Sequence, residues 1–157
     1  MCSRYYDSTE EYLNQISRLN RAIDYKFLEL TQLRELSISV TSVLSGDKVQ
    51  SSLDPDKIGN TCAKIVDMEE DINAIIDEFI RLKKNIISQI EGIDKEIYYE
   101  ILFLRYVRQN KNRFKTTFEE ISVEINQSYR NTTRLHKKAL EAFEAKYGHE
   151  YLKKLQN

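Results

Sequence analysis

Apolar side chains recur at Tyr12, Ile16, Leu19, Ile23, Phe27, Leu30, Leu33, Leu36 and Val40, in steps of three and four residues. Such steps keep side chains on one face of an α-helix, because about 3.6 residues complete a turn. The pattern stops at Gly46-Asp47 and at the loop formers Ser51, Ser52, Asp54 and Pro55. It resumes at Ile58, Cys62, Ile65, Met68, Ile72, Ile75, Phe79, Leu82, Ile86 and Ile90, and Gly92 closes it. Two helices of about thirty residues, each spanning about 45 Å and joined by one loop, are expected to fold back on each other. The expectation is a long antiparallel helical hairpin over 8–91, coiled-coil-like because each helix carries a single seam, with its loop near 46–56. Ser8 and Glu11 have the spacing of a capping box, and Asp94 is placed to cap the helix after Gly92.

Beyond Gly92 the elements shorten. Lys95 to Val107 reads as one helix, with Ile97, Ile101, Leu102 and Leu104 interleaved with Tyr98, Tyr99, Phe103 and Tyr106. Residues 108–115, RQNKNRFK, are polar and basic and are expected to form an exposed loop. Phe118 to Ile125 forms a short helix, Asn126-Gln127-Ser128 a tight turn, and a longer helix starts at Tyr129. The predicted fold is all-α: the hairpin over 8–91, a helix-turn-helix bundle over 94–147 and a C-terminal tail over 148–157. Four glycines and one proline are too few for the turns of a many-stranded sheet.

Charge changes this picture more than composition does. The formal net charge of −1 is a cancellation. Residues 1–104 hold 12 Lys/Arg against 19 Asp/Glu, a net of −7, and residues 105–157 hold 12 against 6, a net of +6. Asymmetry of this kind points to a polyanion-binding C-terminal half. Asp67, Glu69, Glu70, Asp71, Asp77 and Glu78 supply much of the opposing acidity, as a solvated face or as an acidic interaction surface.

The basic half also holds the parts of a helix-turn-helix. Phe118, Ile121 and Ile125 anchor the first helix, and Ser122 is the small residue where two backbones approach. Asn126 tolerates a left-handed conformation, and Ser128 caps the second helix. Leu135, Ala139, Leu140 and Phe143 continue the buried face, while Arg130, Asn131, Thr133, Arg134, Lys137 and Lys138 occupy the other. That arrangement suits an element that offers its first turns to base edges while later cations hold phosphates. His136 is expected at the surface or near phosphate, and His149 in the tail.

Residues 117–143, TFEEISVEINQSYRNTTRLHKKALEAF, resemble the helix-turn-helix of region four of primary bacterial sigma factors. TFEEI, Ser122, the turn 126–128 and Lys138-Ala139-Leu140 carry the likeness, and EILFLRYV (100–107) is similar to the helix that precedes that motif in sigma factors. The whole chain resembles a family of small phage and prophage proteins of Firmicutes, related to late-operon transcription activators. YLNQISRLNRAI (12–23), VQSS (49–52) and DKIGNTCAKIVDMEEDINAIID (56–77) carry that resemblance. Gln127, Thr132 and Tyr129 depart from the sigma pattern, as does a longer 108–116 linker, so promoter specificity does not transfer.

The resemblance implies a DNA-binding transcription regulator in the cytoplasm of a bacterial host, with double-stranded DNA as partner and host RNA polymerase or a second copy as further partners. Arg130, Thr133 and Arg134 match base-contact positions, and Asn131, nearby, is the fourth base-contact candidate. Arg113, Lys115, Ser128, Tyr129, Lys137 and Lys138 are the candidate phosphate contacts. Two alternatives use the same helices: a DNA-packaging recognition subunit resembling a small terminase, and a helical protein–protein adaptor. Enzymatic chemistry is not expected, since no phosphate-cradling glycine loop, HExxH or G-x-S-x-G occurs. Cys2 and Cys62 have no metal or redox spacing, so neither a metal nor a cofactor is expected. No membrane span is expected either, because no stretch approaches the roughly 20 apolar residues that one needs.

Overall fold

Ser8 opens the first helix, α1 (Thr9–Leu13), its hydroxyl accepting from the Glu11 amide at 3.2 Å. The computed structural model describes residues 6–42, 55–108 and 115–153, and the regular elements among them are helices. The Glu11 carboxylate accepts from the Asp7 amide at 3.1 Å, one residue before the bond expected of a reciprocal box. The helix expected to run on from Ser8 is interrupted at Asn14, and α2 spans Gln15–Ser42. The long helix α3 (Pro55–Glu91) opens on a proline, whose missing N–H has no partner to lose in a first turn. Residues 43–54, which hold most of the expected loop and the VQSS segment, lie outside the described residues.

Gly92 ends α3 as expected, but not through a left-handed backbone. A Cβ there would stand 2.0 Å from the Tyr147 hydroxyl, so a side chain at this position would force the Tyr147 ring to shift. Asp94 does not cap α4 (Glu96–Leu102). Lys95 holds the cap position without a side-chain bond, and Asp94 pairs with Lys146 at 3.6 Å. The helix expected to continue to Val107 widens into a π turn over Phe103–Val107, closed by the Arg108 amide on the Phe103 carbonyl at 2.9 Å. Two further helices follow, α5 (Phe118–Glu124) and α6 (Tyr129–Tyr151).

Contacts group the chain into two units, 1–18 with 80–157, and 19–79. These divide it differently from the expected 8–91, 94–147 and 148–157. In the 19–79 unit Leu30 and Ile72 are buried, and Arg34 on α2 forms an ion pair with Glu69 on α3. Phe27 and Leu36, both expected on the buried face, are exposed. A pair of helices has only a narrow seam, and residues at its margin stay in water.

The other unit has the larger core. Leu13, Ile16, Ile86, Ile90, Ile101, Leu102, Ile121, Ala139 and Phe143 are all fully buried in it. The described part of the expected tail, 148–153, belongs to this core. Tyr151 stacks on Tyr12 with ring centroids 4.1 Å apart, and Gly148 is buried. Beyond α6, the Tyr6 amide donates to the Tyr151 carbonyl at 2.8 Å and the Lys153 amide to the Tyr6 carbonyl at 3.1 Å. The Tyr12 hydroxyl donates to Gln89 at 2.8 Å, and the Gln89 amide donates to Glu150 at the same distance. One polar chain therefore links α1, α3 and α6.

Candidate nucleic-acid interface

Thr117 starts α5 with a reciprocal capping box. Its hydroxyl accepts from the Glu120 amide at 3.2 Å, and the Glu120 carboxylate accepts from the Thr117 amide at 2.7 Å. Ile121 is fully buried beside Ile101 and Leu104, with Ile97, Phe118, Ile125 and Leu135 packed around them. Ser122 is buried, its hydroxyl turned back on the Glu119 carbonyl at 2.8 Å.

The turn closes as the residue types predict. Asn126 holds φ at 53°, the left-handed value that asparagine tolerates better than other residues with a Cβ. Its amide donates to the Val123 carbonyl at 3.2 Å, and the Gln127 amide donates to the Ser122 carbonyl at 2.9 Å. Those two bonds form a Schellman closure, which satisfies carbonyls that the helix end leaves open. Ser128 then caps α6, accepting from the Asn131 amide at 3.2 Å.

Thr132, His136, Ala139 and Phe143 form the buried side of α6. Thr132 buries its whole side chain, because its hydroxyl donates to the Ser128 carbonyl at 3.0 Å. Ser128, Arg130, Asn131, Thr133, Arg134 and Lys137 line one shallow groove of ≈ 440 Å³. All four expected base-contact residues are thus together, with two of the expected phosphate contacts. Lys138 and Tyr129 are exposed nearby on the same helix.

Within the groove a side-chain relay was not anticipated. The Asn131 amide donates to Gln127 at 2.7 Å, and its carbonyl oxygen accepts from Arg134 at 2.6 Å. The i, i+4 and i, i+3 spacings could have revealed it. Asn131 thereby holds one guanidinium nitrogen of Arg134 against the helix, which restricts the side chain.

Two titratable positions, Lys115 and His136, lie otherwise than expected. Arg113 lies outside the described residues. Lys115 is turned inward: its ammonium donates to Asn14 at 2.8 Å, stands 3.8 Å from Glu10 and lies 4.3 Å from the centre of the Tyr106 ring. Burial lowers its pKa to about 8, assisted by Arg105 and opposed by Glu10. This is a structural tie between α1 and the π turn, not an outward phosphate contact.

His136 is likewise buried rather than superficial. It shares a 2.9 Å hydrogen bond with the Tyr106 hydroxyl and meets Phe118 edge-on with ring centroids 4.9 Å apart. Burial depresses its pKa to about 4, so it is neutral at pH 7. Arg108 is held by Glu124 of α5.

Among the described residues no cluster of three or more His, Cys, Asp or Glu side chains is arranged to hold a metal ion. No described helix is long and apolar enough to cross a membrane. Compared with protein-family models, characterised proteins and solved structures, the chain matches none.

Proposed function

We propose that this protein is a phage or prophage transcription regulator that binds promoter DNA through residues 117–143, a helix-turn-helix of the sigma region-four kind. The observation that carries the reading is a groove at the start of α6 that gathers Arg130, Asn131, Thr133, Arg134 and Lys137 at Ser128, while Thr132, His136 and Ala139 anchor the opposite side. A B-form major groove admits one α-helix, and a bidentate arginine on guanine O6 and N7 is its commonest specific contact. Arg134, steadied by Asn131, and Arg130 take that role. Thr133 contacts an adjacent base edge, and Lys137, Lys138 and the Ser128 end of the helix hold phosphates. Tyr129, 51% exposed at the first position of α6, packs against the sugar-phosphate backbone. Host RNA polymerase is the partner in this reading, and the acidic 19–79 helices form the arm that reaches it.

Fluorescence anisotropy on phage late-promoter duplexes tests the proposal. Arg134→Ala should weaken specific binding by about 1–3 kcal/mol, whereas Lys138→Ala should weaken all sequences alike and flatten the salt dependence. Unchanged affinity in both Arg130→Ala and Arg134→Ala would refute the base-reading roles. No binding to any duplex at low salt would refute the proposal itself and favour the adaptor alternative.

A further inference from the structure

The 19–79 unit carries a surface that DNA recognition does not use. Tyr25, Leu28 and Leu36 on α2 are 70%, 56% and 63% exposed. With Gln32 they follow steps of three and four, so they form one stripe along the helix. Leu36 borders a groove of ≈ 420 Å³ whose floor includes Leu33 and Met68 and whose rim carries Glu29, Asp67 and Asp71. Among the described residues, Lys64 is the cation that lines it. The sequence of this unit holds 6 Lys/Arg against 12 Asp/Glu, a net of −6.

We propose that this groove is a docking site for a basic amphipathic helix of a partner protein. Leu33, Leu36 and Met68 offer an apolar bed for the anchors of such a helix, and Glu29, Asp67 and Asp71 select lysine or arginine beside those anchors. Charge complementarity also decides against a second copy as occupant. Face-to-face pairing of two such units would bring two net charges of −6 together and crowd the rim carboxylates, whereas a cationic helix neutralises them. The inference stands independently of DNA binding, because none of these residues lies on α5 or α6.

The full chain offers a local reporter, since it has two methionines, Met1 and Met68. A ¹³C-methyl spectrum can therefore follow Met68 while a designed peptide of about twenty residues is added, with Leu at i, i+3 and i+7 and Lys at flanking positions. The Met68 methyl resonance should shift on titration, and the affinity should fall as salt rises. A matched peptide with Glu in place of Lys should bind at least tenfold more weakly, on the order expected of like-charge contact. Asp67→Lys/Asp71→Lys should weaken the Lys peptide by about tenfold or more, and Lys64→Glu should strengthen it several-fold. Circular dichroism checks that the variants keep their helices, and promoter affinity should be unchanged in each.

Equal binding of the two peptides, a silent Met68 methyl, or insensitivity to both charge variants would overturn the proposal. So would a dimer in sedimentation that Leu36→Lys dissolves, because the groove would then belong to a second copy.

Discussion

Acidification should unfold the C-terminal bundle in part through one side chain, His136. The imidazole is 6% exposed, enclosed by Phe118 and Tyr106, and hydrogen-bonded to the Tyr106 hydroxyl. Burial is the main cause of its low pKa. Glu10 works against the depression, and Arg105 and Lys115 add to it. With a folded pKa of about 4 against an ordinary 6.5, the unfolded chain takes up a proton first. The contribution is fully present above pH 6.5, declines as pH falls through the window, and is exhausted below about 4. That difference corresponds to roughly 3 kcal/mol.

Carboxylates titrate in the lower part of the same window, so the informative quantity is a difference. Urea unfolding of the protein and of His136→Gln, from pH 7.5 to 4, isolates it: glutamine can still bond Tyr106 but does not titrate. The stability advantage of the histidine protein should shrink by roughly 3 kcal/mol across that range. Parallel pH profiles, or an NMR titration of His136 with its midpoint at the ordinary value, would refute the reasoning.

Three further outcomes follow from the fold. Asn126→Ala, which forces alanine to a φ of 53°, should cost about 1–2 kcal/mol in chemical unfolding, and Asn126→Gly should retain most of the stability. Gly92→Ala should destabilise by about 1–3 kcal/mol, because its Cβ collides with the Tyr147 hydroxyl, and a Tyr147→Phe background should recover part of that loss. A fragment of residues 94–147 should lack a cooperative thermal transition, since it omits Leu13, Ile16, Ile86, Ile90 and Tyr151, all buried in the same core. Cooperative melting of that fragment would contradict the division of the chain into units described above.

The helical spans were legible because each rests on a local period. Apolar steps of three and four mark α2, α3 and α6, and a cap or a breaker marks several ends. What local period does not encode is which helix ends share a core. Tyr12 reads as the first member of the α2 seam, yet it stacks on Tyr151 and donates to Gln89. The Thr9 hydroxyl meets the Tyr151 hydroxyl at 2.9 Å across almost the full length of the chain. Those contacts draw 6–18 and the end of α3 into the C-terminal bundle, so a boundary placed at Gly92 from punctuation alone cuts through a core. The π turn left no signal of its own, because FLRYV has the composition of an ordinary helix.

The candidate interface divides along the same line. Arg130, Arg134 and Lys137 were legible because their position is set within one helix: with Thr132, His136 and Ala139 on the inner side, the outer side follows from geometry. Asn126 and Ser128 were legible because a four-residue turn demands a left-handed residue and a cap. The Thr117–Glu120 box carries an equally local signal in T-x-x-E. The burial of Lys115 and His136 was not legible, for the opposite reason. Their polarity suggests solvent, and the groups that accommodate them, Glu10, Asn14 and Tyr106, come from elsewhere in the chain. A basic residue is available to phosphate only where its charge faces water rather than the interior, as Arg134 does and Lys115 does not. By that criterion the positive C-terminal half contains two populations. One, on the outer turns of α6, remains exposed, where the proposed DNA would meet it. The other, at Lys115 and Arg105, is spent internally, with Lys115 on Asn14 and Arg105 on the Thr116 carbonyl and over the Phe118 ring. The +6 of the sequence therefore overstates the charge that a polyanion meets, and among the described residues the outer α6 cations should carry the salt dependence of the proposed DNA binding.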